Sequence, residues 1–266
     1  MSGALPPLLL VGCGRMGGAL LAGWRNAGLA DVVIVDPARP EIAPPARVVA
    51  EAAEIPAGFA PAAVILAVKP QQAAATLPAY ARFAGRAVFL SIMAGRGIAG
   101  MRRLLGAHAA IVRAMPNTPA AIGEGISAAC AGDEVDAAAR ALCERLLAAV
   151  GEVVWVEREG DLDAVTAVSG SGPAYVFLLA ELLERAAIAE GLAPPLARRL
   201  ARRTVAGSGA LLAKSAEDAA ALREAVTSKG GTTEAALSIL MAPEAWPTVL
   251  PKAVAAAAAR SRELAD

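Results

Sequence analysis

The chain has 266 residues, enough for one large domain or two ordinary ones with a substantial core. Lysine plus arginine and aspartate plus glutamate balance at 25 each, which excludes the basic surplus of a nucleic-acid or anionic-membrane binder. Hydrophobic residues make up 56% but aromatics only 3%, a composition that favours closely packed, alanine-rich helices over a β-sandwich.

Residues Leu8–Val11 form a continuous apolar run, as a parallel strand covered on both faces requires. The run leads into Gly12-Cys13-Gly14-Arg15-Met16-Gly17 and then into the helical pattern Ala19, Leu20, Leu21, Trp24. This is GxGxxG with its strand before and its helix after, the context in which it binds a dinucleotide. Gly12 allows the tight turn, Gly14 lets a pyrophosphate approach the backbone, and Gly17 lets the helix pack on the strand. Residues 31–35 predict a second strand ending at Asp36, the place where an acidic side chain meets the ribose hydroxyls of NAD. Asp36 therefore argues for NADH, whereas Arg39 close by argues for NADPH.

Residues 63–68 predict the third strand, with Lys69-Pro70-Gln71 leaving its carboxyl end, where ligands lie in an open parallel sheet. Further strands are expected over 87–92, 108–113 and 152–156, with a helix over 135–149. His108, the only histidine, is read as a structural or partly exposed imidazole at a strand start. Strands alternating with helical runs over about the first 155 residues indicate a doubly wound α/β domain.

From Leu162 no further strand-like run appears. Residues 164–189 are strongly apolar, interrupted by Ser169-Gly170-Ser171-Gly172-Pro173, with Pro173 in the first turn of a helix capped by the residues before it. Helices follow over 194–213, 217–225 and 233–242, and a last one from about Pro251. The apolar residues are too evenly spread for a helical layer with one wet face, which points to an oligomer interface. Between two of these helices stands Ser228-Lys229-Gly230-Gly231-Thr232-Thr233. Thr232 or Thr233 suits an N-cap and Glu234 the first turn, and such a turn offers backbone N–H groups to a small carboxylate.

Cys13, Cys130 and Cys143 are odd in number and far apart, as free thiols of a reducing compartment would be, with no disulfide or zinc site. The N-terminus lacks a basic region before its apolar run, and the alanine run 253–259 is too short to span a bilayer. A cytoplasmic protein is the simplest expectation.

These stretches together resemble pyrroline-5-carboxylate reductase, the last enzyme of proline biosynthesis. The resemblance runs through Gly12–Gly17, Ala67-Val68-Lys69-Pro70-Gln71, Arg113-Ala114-Met115-Pro116-Asn117-Thr118-Pro119, the segment from Asp163 to Tyr175, and Gly230-Gly231-Thr232-Thr233. It implies an N-terminal Rossmann domain (1–158) and an all-α substrate-binding and dimerisation domain (159–266), with homodimers that can gather into a ring such as a decamer. It implies hydride transfer from NAD(P)H to the C=N carbon of pyrroline-5-carboxylate, giving L-proline, without a metal. Gly12, Cys13, Gly14, Arg15, Met16, Gly17, Val68, Lys69, Pro70 and Ala94 would line the dinucleotide. Ser228, Gly231, Thr232 and Thr233 would hold the substrate, with Thr233 as the catalytic hydrogen-bonding group and Glu159 on the substrate side. NADPH is the usual coenzyme of the family, and Asp36 leaves NADH open.

Three positions depart from the family pattern: Lys229 replaces a common proline, Ala225 a polar residue of some members, and Met241 a common acid. None removes a group the reaction needs. Hydroxyacid dehydrogenases of related architecture use a lysine base on the first interdomain helix, and residues 163–190 contain no lysine. A non-catalytic NAD(P)-sensing protein would explain the glycine turn and the apolar second half, but not the paired hydroxyls of the second glycine turn.

Overall fold

The structure, a computed structural model, describes residues 4–264. The chain divides into two compact units, one running up to Gly170 and resuming at Ala257, the other spanning Ser171–Ala256.

The first unit is built on one eight-stranded sheet. Strand β1 (Leu8–Val11) lies parallel between β2 (Val32–Val35) and β4 (Ala63–Leu66), with β3 (Arg47–Val49) outside β2. Strands β5 (Val88–Ser91) and β6 (Ile111–Met115) continue the parallel series beyond β4. Strand order therefore reverses between β1 and β4, the switch point of a doubly wound sheet. The two-residue period of a strand divides the core between the two faces. Leu8 and Leu10 join Leu20, Trp24 and Leu146, whereas Leu9 and Val11 join Leu77, Phe89 and Met101.

Helices α1 (Arg15–Asn26), α2 (Ala73–Thr76), α3 (Ile98–Leu105) and α4 (Ala137–Ala148) accompany the sheet. The buried Trp24 indole donates to the Leu146 carbonyl at 2.8 Å, which satisfies its N–H and pins α1 to α4. Strand β7 (Gly125–Ala131) runs antiparallel to β6, and β8 (Gly151–Trp155) lies parallel beside β7.

Two strands, β3 and β7, are not expected from sequence. β3 has only three residues, too short a run to mark a strand, and β7 is built of Ala, Ser, Gly and Cys around one isoleucine, without the β-branched run that marks one. The strand expected from residue 108 begins at Ile111, and His108 is exposed in the turn before it. Gly106, with φ of 103°, closes α3 and feeds that turn.

After β8 the chain enters α5 (Asp161–Val165) and passes through a π-helical turn at Thr166–Gly170. The Ser-Gly-Ser-Gly stretch is thus a bulge in a helical run rather than a break. Thr166 Oγ1 donates to the Leu162 carbonyl at 2.7 Å, and a Cβ at Gly170 would stand 2.6 Å from Met115 Cε. The Thr166 bond to the carbonyl one turn back favours the widened turn here.

The second unit is helical: α6 (Gly172–Ala189) and α7 (Pro194–Lys214) pack on one another, followed by α8 (Ala219–Ala225), α9 (Thr232–Leu240) and the start of α10 (Trp246–Leu264). Ser171 precedes α6 without a side-chain cap bond, so the cap expected there is absent. The last helix begins at Trp246 with Pro247 in its first turn, which leaves Pro251 inside it at the loss of one backbone bond. Its final turns return to the first unit, where Ser261 Oγ donates to Asp163 Oδ1 at 2.7 Å and Leu264 packs on Gly95.

Large apolar side chains on these helices are exposed, among them Phe177 (66%), Leu182, Leu200, Leu211 and Ile239. The helical run Asp161–Ala189 is long and apolar enough to cross a membrane by length and composition alone. Apolar surface on this scale calls for a covering partner.

Candidate active site

Directly after β1, Gly12 turns at φ 89°, and a Cβ there would lie 2.8 Å from the Ala67 carbonyl oxygen of the neighbouring strand end. A Cβ at Gly17 would overlap the Gly12 carbonyl oxygen. The third glycine differs: nothing stands within 4 Å of a Cβ built on Gly14. Two glycines are thus demanded by the fold, and one keeps a space open at the N-terminus of α1. The first turn of α1 carries no acidic residue, so its backbone N–H groups and positive dipole end suit an anion.

A cavity of 530 Å³ opens there, lined by Gly12, Gly14, Asp36, Glu51, Val68 and Lys69 among others. It lies at the carboxyl ends of β1, β2 and β4, the switch point of the sheet. Its size and its glycine cradle fit a dinucleotide. Gly17 is buried beneath the turn, Met16 packs on the core behind it, and Arg15 is exposed at the start of α1. Cys13 lines a separate cleft with Gly18, Leu21 and Arg25. Pro70 opens a single 3₁₀ turn, and its carbonyl accepts from Arg96 Nε at 3.0 Å, which ties it to the loop carrying exposed Ala94.

Asp36 holds the glycine turn in shape. Its Oδ2 accepts from the Cys13 amide at 2.8 Å and its Oδ1 from the Ala38 amide at 2.9 Å. Burial, and then the Asp36 charge, push the Cys13 thiol up from its ordinary range. Arg39 is not among the cavity-lining residues. It makes a two-pronged pair with Glu54 at 3.0 and 2.8 Å, from a backbone with φ of 45°.

Glu159 stands elsewhere in the first unit. Its Oε1 accepts from the Ile98 amide at 2.8 Å and pairs with Arg113 at 3.0 Å. Arg113 is 6% exposed, so this carboxylate supplies both its counter-charge and the cap that Gly97 cannot give α3. Sequence reasoning misses that capping role, although a buried strand arginine and a helix opened by glycine each demand an outside partner. Burial, and then the nearby Glu159 charge, raise the Cys130 thiol. It also misses the part played by Asn117. The Asn117 Oδ1 accepts from the Ile126 amide at 3.0 Å and its Nδ2 donates to Ser169 Oγ at 3.2 Å, joining β7 to the π turn.

In the second unit, Gly230 takes φ of 74°, Gly231 is the N-cap of α9, and Thr232 is its first residue. Neither threonine is the N-cap, contrary to expectation. A Cβ at residue 231 would meet Ser228 Oγ, and the Gly231 amide donates to the Ser228 carbonyl at 3.0 Å, so these two residues close the turn tightly. Glu234 Oε2 accepts from the Gly230 amide at 2.7 Å, one residue before the N-cap, and so ties the first turn of α9 to the glycine turn. No side chain caps α9, and neither threonine hydroxyl is spent on capping; Thr233 is half-buried and Thr232 exposed.

Family models match both parts of the chain. One described as pyrroline-5-carboxylate reductase dimerisation covers residues 159–264, and one described as NADP oxidoreductase, coenzyme F420-dependent, covers 8–95. The pyrroline-5-carboxylate reductase of Pseudomonas aeruginosa is 37% identical over 267 residues, 98% of this chain and 97% of its own. That of Haemophilus influenzae is 35% identical over 263 residues, 97% of each chain. Among solved structures, the Coxiella burnetii pyrroline-5-carboxylate reductase superposes with a TM-score of 0.89 at 29% identity, over 98% of this chain and 99% of that one. The Plasmodium falciparum pyrroline carboxylate reductase with NADP bound gives a TM-score of 0.85 at 28% identity over 99% of each. The dimerisation match falls on the helices whose apolar faces are exposed.

Proposed function

This chain belongs to the pyrroline-5-carboxylate reductase family, and from that premise we infer how its own residues divide the reaction. It is an NAD(P)H-dependent reductase of pyrroline-5-carboxylate that forms L-proline, and it associates through its helical half. The coenzyme supplies the hydride for the C=N carbon, and the protein supplies placement and electrostatics. The open space at Gly14, between two glycines that the fold itself requires, is the observation that carries the coenzyme assignment.

In this reading Gly12–Gly17 cradle the pyrophosphate, Asp36 faces the adenosine ribose, and Val68, Lys69, Pro70 and Ala94 follow the dinucleotide. Ser228 and Thr232 hold the substrate carboxylate at the start of α9, Gly231 shapes the turn that presents them, and Lys229 adds positive charge. Thr233 hydrogen-bonds the ring nitrogen and fixes the imine's orientation. Glu159 serves the substrate side; both of its bonds among the described residues fall on Oε1, which reserves Oε2 for a ligand. A cyclic imine is basic enough to be partly protonated near neutral pH, so no strong protein acid is needed, and His108 lies exposed in a turn outside these residues. Holding both reactants in near-attack geometry supplies roughly 7–11 kcal/mol of the barrier, which makes orientation the leading contribution.

We place the functional division at 158/159, supported by the start of the dimerisation match at residue 159. Dimers gathered into a ring such as a decamer and a cytoplasmic location complete the proposal. A steady-state assay with racemic pyrroline-5-carboxylate, run separately with NADH and NADPH, is expected to give turnover and L-proline. Turnover with neither coenzyme would remove this reading.

A further inference from the structure

The adenosine end of the cavity carries an electrostatic choice between the two nicotinamide coenzymes. They differ by one group, the phosphate on the adenosine 2′ oxygen, and a site takes that group with an arginine or rejects it with a carboxylate. Here β2 delivers Asp36 to the cavity, and Glu51 lines it as well. The Asp36 carboxylate is not a mobile group that swings aside, because Cys13 and Ala38 each donate a backbone N–H to one of its oxygens. A carboxylate has about four acceptor sites, so two remain for ribose hydroxyls. A 2′-phosphate at that place would meet the fixed negative charge directly.

Three cations of the elements around this end are engaged, whereas Arg15 is exposed at the start of α1 and Arg47 stands exposed at the amino end of β3, the end away from the cavity. Arg39 is held by both oxygens of Glu54. Arg25 donates to the Ala43 and Pro44 carbonyls, and Arg82 donates to the Ala52 carbonyl while lying 5.0 Å over the Phe83 ring. Lys69 is the cation among the cavity-lining residues, and it stands on the β4 side rather than beside Asp36.

We infer that Asp36, with Arg39 withheld by Glu54, makes this enzyme select NADH over NADPH. Asp36 is the specificity-determining residue that meets the ribose. Glu54 acts through Arg39 and is a positioning residue. The inference rests on the coenzyme cradle proposed above, and its failure is separable from the failure of that reading.

The test is calorimetric titration of the intact protein with NADH and with NADPH, accompanied by the same steady-state assay. The wild type is expected to bind NADH about tenfold or more tightly than NADPH, the scale of one close like-charge contact at a partly exposed site. Asp36→Asn, which keeps an acceptor for the Cys13 amide and removes the charge, is expected to tighten NADPH and weaken NADH, narrowing the ratio. Glu54→Gln is expected to tighten NADPH by about two- to fivefold, the size an exposed ion pair can withhold, and to leave NADH affinity unchanged. Equal or tighter NADPH binding by the wild type overturns the inference, as does a Glu54→Gln change that moves both coenzymes alike. Binding of either coenzyme without reduction of pyrroline-5-carboxylate would instead count against the catalytic reading.

Discussion

Three glycines in one turn have two different reasons to be glycine, and substitution separates them. At Gly17 a side chain would run into the Gly12 carbonyl, so Gly17→Val is expected to lower the melting temperature and, through the deformed turn, coenzyme affinity. At Gly14 the same change meets open space. Gly14→Val is therefore expected to keep the wild-type melting temperature while abolishing binding of both dinucleotides; normal titration of that variant would contradict the cradle. Thr233 can be separated from its helix in the same way. Because no threonine supplies a capping bond at α9, Thr233→Ala is expected to leave stability and coenzyme affinity intact. Its kcat/KM for pyrroline-5-carboxylate should fall by the equivalent of about 1–3 kcal/mol. An unchanged kcat/KM would take Thr233 out of the mechanism.

Elements with a strong hydrophobic pattern are legible in the sequence alone. β1, β2, β4 and β5 are uninterrupted or nearly uninterrupted apolar runs, and burial on both faces leaves such runs no other reading. β7 is not legible, because its small residues owe their burial to close neighbours: a Cβ at Gly125 would stand 2.9 Å from the Ala120 backbone. The glycine cradle can be read residue by residue, since local backbone geometry alone defines it. Glu159's capping of α3 cannot, for its partners Ile98 and Arg113 lie 61 and 46 positions away. That junction joins β6, the start of α3 and the chain just before α5. Glu159→Gln keeps an acceptor for the Ile98 amide but leaves the Arg113 charge buried without its counter-ion. A loss of about 1–3 kcal/mol of stability is expected, read by urea unfolding at fixed protein concentration. An unmoved midpoint would mean the pair contributes nothing to the fold.

For the whole molecule, the exposed apolar helices and the dimerisation match make association the condition under which the second unit buries its surface. Phe177→Glu is expected to shift the protein toward monomer or aggregate in light scattering after gel filtration; an unchanged oligomer would place Phe177 outside the interface. The nucleotide-binding unit has a separate limit at high pH. Burial pushes Cys143 from 9.0 and Tyr80 from 10.0 each up to about 12. Both are neutral when protonated, so the unfolded chain loses its protons first, and this stability is complete below about pH 9 and disappears as pH rises through about 12. Melting temperatures should decline over that window, and a flat profile would show that these groups do not control it.

The return of α10 has a practical corollary for anyone wishing to study the halves apart. Ser261 on Asp163 and Leu264 on Gly95 belong to the same unit as the glycine cradle, although most of the helical sequence intervenes. One scission of the backbone therefore cannot liberate an intact nucleotide-binding half. A fragment ending at residue 170 would leave the notch at Gly95 bare, beside the loop that carries Ala94. The minimal version to express is a splice that carries residues up to 170 together with those from 257.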